Sequence, residues 1–284
     1  MNAPERALLP DVQAFPDTRA IAIDRVGVRA VRHPVRVRLQ DGSVLATVAM
    51  VSMYVHLAPT VKGTHMSRFL EVLQSHDEPL TLESLRALYR QMLGRLEAPG
   101  GHLELSFPLF LRKAAPVSGV ESLLDYDVSY RIASVPGGEL QTTLRILAPV
   151  TSLCPCSREI SAYGAHNPRS HIIIEALAGG NLAAEDLIRI AEQQASCQLW
   201  GLLKRPDEKY VTEFAYDHPK FVEDLVRDVA TALERDERVL AYSLSSENFE
   251  SIHNHSAYAE IVRDKRVGST VPGEGAARIT RPQQ

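Results

Sequence analysis

The sequence predicts an α+β fold of two tandem ββααββ units, each an antiparallel sheet backed by a pair of helices. Three observations predict it. Stretches with a two-residue hydrophobic period alternate with stretches of helical period. The order strand, strand, helix, helix, strand, strand is met twice along the chain. Turn signals such as Asp41-Gly42 and Pro136-Gly137-Gly138 separate adjacent strands. The repeat rests on element order, since no sequence identity between the halves is visible. A chain of 284 residues is long enough for one large domain or two ordinary ones.

Residues 1–30 hold three prolines and no sustained period, and read as an irregular N-terminal segment. The first unit is placed at 31–136. HPVRVRLQ and SVLATVAMVSMYVHL form a hairpin around Asp41-Gly42, and the second run, apolar on both faces, reads as a covered central strand. MSRFLEVLQS is a short helix. LTLESLRALYRQML puts Leu85, Leu88, Tyr89 and Met92 on one helical face, with Thr81 as N-cap. HLELSFPLFLRK turns Leu105, Phe107, Leu109 and Leu111 inward, and LDYDVSYRIAS does the same with Tyr126, Val128, Tyr130 and Ile132.

The second unit is placed at 137–264. ELQTTLRILAPV and HIIIEALA are its first strands. LAAEDLIRIAEQQASCQLWGLL reads as one helix, with Leu187, Ile188, Ala191, Ala195 and Leu199 in line. KRPDEKYVTEF reads as the connection to a second helix, KFVEDLVRDVATALER, whose Phe221, Val222, Leu225, Val229 and Leu233 face the core. VLAYSLSS and SAYAEIVR close the unit. Residues 265–284, rich in Gly, Pro and small or polar residues, read as a disordered tail.

Composition narrows the function. At 45% hydrophobic and 23% charged the chain is globular. A net charge of −4 argues against a general nucleic-acid binder, while leaving room for a local basic pocket for a phosphorylated small molecule. The N-terminus lacks the basic start and apolar run of a signal peptide, and no stretch approaches the ~20 apolar residues of a membrane span. The expectation is a cytoplasmic protein without a membrane or nucleic-acid partner. Three cysteines make no disulfide framework, and Cys154 and Cys156 are poor partners for each other across one proline.

The chemistry-bearing stretch is SLCPCSREISAYGAHNPRS, residues 152–170, in the loop between the second unit's first two strands. A thiolate at Cys154 with an imidazole at His166 suits a borderline-soft divalent metal. From the residues alone, a low-pKa cysteine nucleophile competes with that reading. Further donors stand in the same unit. KRPDEKYVTEF offers Asp207, Glu208 and Glu213; NFESIHNHSAYAEI offers Glu247, Glu250, His253 and His255. Cys197 reads as a small core residue on a helix. His33, His76, His102 and His218 read as solvated, and His56 as a strand residue without a role.

Five ordered motifs carry a resemblance: SLCPCSREISAYGAHNPRS, KGTHMSRF (62–69), KRPDEKYVTE (204–213), HPKFVEDLVRD (218–228) and ENFESIHNHSAYA (247–259), with LPDVQ (9–13) before them. Together they resemble the type IB GTP cyclohydrolase I family over residues 9–264. The resemblance implies the tunnelling fold. It implies a homotetramer with active sites at subunit interfaces, and hydrolysis of GTP at C8 of the purine. That reaction releases formate and forms 7,8-dihydroneopterin triphosphate, the first pterin of tetrahydrofolate synthesis. The family's metal ligands fall on Cys154, His166, Glu208 and His253, which implies one divalent ion per site: zinc, manganese or iron. Its purine-anchoring carboxylate falls on Glu223. The chemistry also asks for a proton carrier, for which His65 is the candidate. It asks for cations on the triphosphate, with Lys62, Arg68 and Arg169 as candidates and Arg158 and Lys204 also available. Pro168 departs from the polar residue expected after Asn167. Two other readings remain: a 7-cyano-7-deazaguanine reductase-like enzyme with a cysteine nucleophile, and a non-catalytic purine- or pterin-binding module with structural zinc.

Overall fold

The computed structural model describes Gln13 and residues 15–266; most of the LPDVQ stretch and nearly all of the 265–284 tail lie outside the described residues. The strands are β1 (Ile23–Arg38), β2 (Val44–Leu57), β3 (Gly101–Ala114), β4 (Glu121–Ser134), β5 (Gln141–Thr151), β6 (Arg169–Ala178), β7 (Cys197–Gln198), β8 (Val239–Asn248) and β9 (Ala257–Asp264). The helices are α1 (Met66–Gln74), α2 (Leu82–Leu96), α3 (Pro155–Ile160), α4 (Ala184–Gln194), α5 (Arg205–Asp217) and α6 (Val222–Arg235). One antiparallel sheet runs β1-β2-β3-β4-β5-β6-β8-β9, with β7 paired to the end of β5. β4 and β5 are hydrogen-bonded neighbours from Asp127 opposite Leu147 to Ala133 opposite Gln141, so both ββααββ sets share one continuous sheet.

The helices α1, α2, α4 and α6 cover one face. Leu85, Leu88, Tyr89 and Met92 of α2 are buried against Val51, Met53, Leu103 and Leu105, and Leu225, Val229 and Leu233 of α6 join the same core as Ile146, Ile174 and Leu244. Each such side chain removed from water contributes ~1.5–3 kcal/mol. Thr81 caps α2 as the sequence predicts: its Oγ1 accepts from Ser84 N at 3.0 Å, and Ser84 Oγ accepts from Thr81 N at 2.9 Å. Tyr89 donates to the Gly101 carbonyl at 3.1 Å, pinning α2 to the start of β3.

The other face is open in this chain. In β2, Ala49, Val51, Met53 and Val55 are buried, but Val48 is 55% exposed, so the expected two-sided cover is absent: the helices lie on one side only. Charge runs across this face, where Arg131 meets Glu104 at 3.6 Å and Glu175 at 3.1 Å.

Several elements differ from the sequence reading. β1 begins at Ile23, inside the segment read as irregular, because its register shifts between Val28 and Val31, where Ala30 has φ 58°. The bulge moves the inward positions from Val26 and Val28 to Val31 and Val35, which breaks the period. α4 stops at Gln194, and Ser196 and Cys197 pair with β5 instead: Ser196 N donates to the Thr151 carbonyl at 3.1 Å. Cys197 is buried as expected, but on β7 rather than on a helix. KRPDEKYVTEF is helix α5, and Phe221 is the 42% exposed N-cap of α6 rather than a core residue.

The histidines read as solvated divide. His218 is exposed. His102 is half-buried on the open face, its ring 5.5 Å from that of His56, and its Nδ1 is buried without a partner. Burial, helped by Arg25, His56 and Arg131, pushes its pKa down to about 4. Burial also pushes His76 down. Among the described residues no helix is long and apolar enough to cross a membrane.

Candidate functional site

Strand direction decides which motifs meet. β5 ends at Thr151, β6 begins at Arg169 and β8 ends at Asn248. Val150 lies opposite Ser170, and Ser170 opposite Asn248. The loops holding Cys154, His166 and His253 therefore leave the same end of the sheet.

Cys154 sits in extended backbone as the N-cap of α3, with Pro155 at the first helical position, where a missing N–H costs nothing. Its N–H donates to the His166 carbonyl at 3.1 Å, and its Sγ accepts from Ser157 N at 3.4 Å. Ser157 Oγ accepts from His166 N at 3.2 Å. The thiol and the imidazole thus belong to one closed loop. His166 Nδ1 lies 3.4 Å from Glu250 Oε2, and both atoms are buried without a hydrogen-bond partner. Cys156 is exposed. Pro168 is buried at the entry to β6, its carbonyl accepting from Ser152 N at 3.1 Å, so the departure from the family pattern sits where a proline is tolerated.

Helix α5 lies against this loop. Leu153 and Ala165, neighbours of Cys154 and His166, pack with Cys197, Trp200, Val211, Phe214 and Ala215 in a small separate core. Residues 208, 211 and 215 share one face of a 3.6-residue helix, so exposed Glu208 continues the stripe that meets the loop. Arg158 of α3 lies 4.7 Å over the Tyr216 ring of α5. Lys220 N donates to the Leu153 carbonyl at 2.9 Å, and Ser152 Oγ donates to the Lys220 carbonyl at 3.0 Å. These bonds bring the start of α6, with exposed Glu223 in its first turn, to the same end. Arg169 is exposed at the head of β6, its carbonyl accepting from Phe249 N at 3.0 Å. His253 is exposed, its ring stacked 5.1 Å from that of His255.

Asp207, beside Glu208, is fully buried. Its Oδ1 accepts from Val117 N at 2.9 Å and Ser118 N at 2.8 Å; its Oδ2 accepts from Ser118 Oγ at 2.6 Å and Lys204 N at 2.8 Å. Burial alone would raise its pKa, but the bonds from Ser118, Lys204 and Val117 outweigh it and hold the carboxyl well below the usual range. Sequence reasoning offered Asp207 only as a spare metal donor. Pro206 and Asp207 early in a helix were the local signal for a cap; the grip on residues 117 and 118 was not readable.

Lys62, His65 and Arg68 lie elsewhere. They follow β2, whose Val55 is opposite Gly101 at the start of β3, whereas Asp207 holds the turn beyond the end of β3. The 14 residues of β3 separate the two groups by roughly 43 Å at ~3.3 Å per residue. His65 is the N-cap of α1, and Lys62 lies 5.7 Å over the Phe15 ring. One chain therefore brings Cys154, His166, Glu208, Glu223, Arg169 and His253 to one end and Lys62, His65 and Arg68 to the other.

Among the described residues no group of three or more His, Cys, Asp or Glu is close enough to hold a metal ion. The donors nevertheless fit one. A thiol, imidazoles and carboxylates share the loop end, and His166 Nδ1 and Glu250 Oε2 are buried polar atoms left without hydrogen bonds.

The model of the family described as type I GTP cyclohydrolase folE2 matches residues 9–259. The chain is 61% identical over 259 residues to the GTP cyclohydrolase FolE2 of Burkholderia ambifaria (strain MC40-6), covering 91% of this chain and 96% of the relative. It is 55% identical over 267 residues to the FolE2 of Azoarcus sp. (strain BH72), covering 94% and 99%. Among solved structures, uricase from Arthrobacter globiformis matches with a TM-score of 0.51 at 10% identity, covering 88% of this chain and 96% of that one, which is a likeness of fold.

Proposed function

Since the chain belongs to the type I GTP cyclohydrolase FolE2 family, we propose that it hydrolyses GTP at C8, opening the imidazole ring. Formate leaves, and 7,8-dihydroneopterin triphosphate enters folate synthesis. The observation that carries the proposal is the convergence of Cys154, His166, Glu208, Glu223 and His253 on one end of the sheet, with α5 packed beneath the Cys154 loop.

Cys154, His166, Glu208 and His253 would hold one divalent ion: zinc, manganese or iron. Such an ion supplies the Lewis acidity that makes water nucleophilic near neutral pH. Glu223 accepts from guanine N1–H and the 2-amino group, two adjacent donors that adenine lacks. His65 carries protons to and from the purine nitrogens. Lys62, Arg68 and Arg169 take the triphosphate oxygens.

In their own chain His65, Lys62 and Arg68 are separated from the Cys154 end of the sheet by the length of β3, roughly 43 Å. They therefore serve the site of a neighbouring subunit. Among the described residues β9 pairs on one side only, and the outer edge of β1 carries just a short bridge from Val37 to Leu80; joining such edges between copies closes the sheets. The assembly proposed is a homotetramer with interfacial active sites. Incubating metal-loaded protein with GTP should release formate and give a product that fluoresces as a pterin after oxidation, while ATP is left unchanged. Absence of both products from GTP would refute the assignment.

A further inference from the structure

We propose that Asp207 is a positioning residue for the metal centre, holding Glu208 in place through the β3–β4 turn. The inference rests on the reading of Glu208 as a metal ligand.

The two adjacent carboxylates differ in burial. Glu208 is exposed at the edge of the stripe that meets the Cys154 loop, while Asp207, four residues before Val211 and seven before Phe214, is buried. Asp207 accepts four hydrogen bonds. Only the one from Lys204 N is the ordinary cap of its own helix. The other three come from Val117 and Ser118, about ninety residues earlier in the chain. The turn they belong to is itself closed: Ala115 N donates to the Val120 carbonyl at 2.9 Å, and Gly119 N to the Ala115 carbonyl at 3.1 Å.

The segment before α5 is fastened to the same hairpin. Trp200 Nε1 donates to the Ala114 carbonyl at 2.9 Å, and Leu202 N donates to Ser122 Oγ at 3.1 Å. At Gly201 a Cβ would stand 2.4 Å from the Leu123 carbonyl oxygen, so the backbones are in contact there. A buried carboxylate with no cation beside it is tolerated only when its oxygens are fully hydrogen-bonded. This one is, and three of its four bonds come from the closed turn that joins β3 to β4. The first turn of α5 is thereby fixed to the sheet at one point and to the Cys154 loop, through Val211, Phe214 and Ala215, at another. Glu208 lies between these two attachments.

The test is metal affinity of the intact protein, measured by chelator competition with zinc, alongside the melting temperature of the metal-free form. Asp207→Asn keeps one acceptor oxygen and sets an amide N–H against Lys204 N–H. It should weaken zinc binding ~10–100-fold, the range for residues that orient metal ligands. Ser118→Ala removes one of the four bonds and should weaken zinc roughly tenfold, the low end for a single hydrogen bond to a charged group. It decides the matter if Asp207→Asn does not fold. Glu208→Gln separates the two levels. If it leaves zinc affinity unchanged, the ligand reading fails, and the positioning role with it. If it weakens zinc while Asp207→Asn or Ser118→Ala only lowers the melting temperature, the positioning role alone is overturned. Adding Asp207→Asn to Glu208→Gln should cost no further affinity; a full additional loss would show that Asp207 does not act through Glu208.

Discussion

Leu153→Ala probes the packing that joins helix α5 to the Cys154 loop. Leu153 is 3% exposed and stands next to Cys154 in the small core shared with Ala165, Val211, Phe214 and Ala215. Its backbone is held independently, its N–H donating to Ser196 Oγ at 3.0 Å and its carbonyl accepting from Lys220 N. The substitution therefore removes packing and leaves the loop's course intact. Three carbons are lost at ~0.8 kcal/mol each, about 2.4 kcal/mol of transfer energy, and the residual cavity raises the cost to roughly 3 kcal/mol. Urea unfolding of the metal-free protein measures that term. The second readout is zinc affinity by chelator competition. With α5 no longer seated on the loop, Glu208 and Cys154 lose their common frame, and affinity should fall at least tenfold, as when other supports of metal ligands are removed. Leu105→Ala is the control: it is 1% exposed in the main core and should lose comparable stability with unchanged zinc affinity. Equal zinc affinity in Leu153→Ala and the parent, with the stability loss present, would refute the idea that this cluster aligns the site.

Cys154→Ala should abolish zinc binding and turnover while the fold persists, and exposed Cys156→Ala should be milder; metal analysis of both tests the choice of sulfur. Glu223→Gln should raise the GTP dissociation constant roughly tenfold or more by losing a charge-assisted bond, with metal content intact; calorimetry with GTP checks this. His102, whose folded pKa of about 4 lies below the ordinary 6.5, makes stability depend on pH. Between these values the unfolded state binds the proton and the folded state does not, so stability is full above 6.5 and falls as pH drops towards 4. Going from pH 7 to pH 5 should cost up to roughly 2 kcal/mol at ~1.36 kcal/mol per unit, and His102→Gln should remove that share of the pH dependence in denaturant titrations.

Much of the fold is written in local periods. β3 and β4 alternate cleanly enough to name their buried residues, and Thr81 with Ser84 marks the start of α2. What the sequence hides is decided at long range or by a break in phase. One extra residue near Ala30 shifts the inward positions of β1 from even to odd, so a real strand loses its pattern. The end of α4 is set by Ser196 and Cys197 pairing with β5, a partner some forty residues away. The motifs of the site were legible as residue types, but their grouping was not. Cys154 and His65 stand in one reading as members of one constellation. Only the register of β2, β3 and β4 puts them at opposite ends of the sheet. Glu208 was legible as a donor, whereas the burial of its neighbour Asp207 in the β3–β4 turn depends on contacts no local pattern announces.

In the proposed assembly each active site takes its metal-binding end from one subunit and its His65 end from another. Mixing two inactive variants tests it. Cys154→Ala and His65→Ala, each carrying a different affinity tag, are allowed to exchange subunits, and assemblies bearing both tags are isolated and assayed for formate release from GTP. In such an assembly some interfaces join an intact Cys154 end to an intact His65 end. With random pairing these are about a quarter of all sites, so activity should return to about a quarter of the parent's. Doubly tagged assemblies that bind zinc yet stay as inactive as either variant alone would contradict the account.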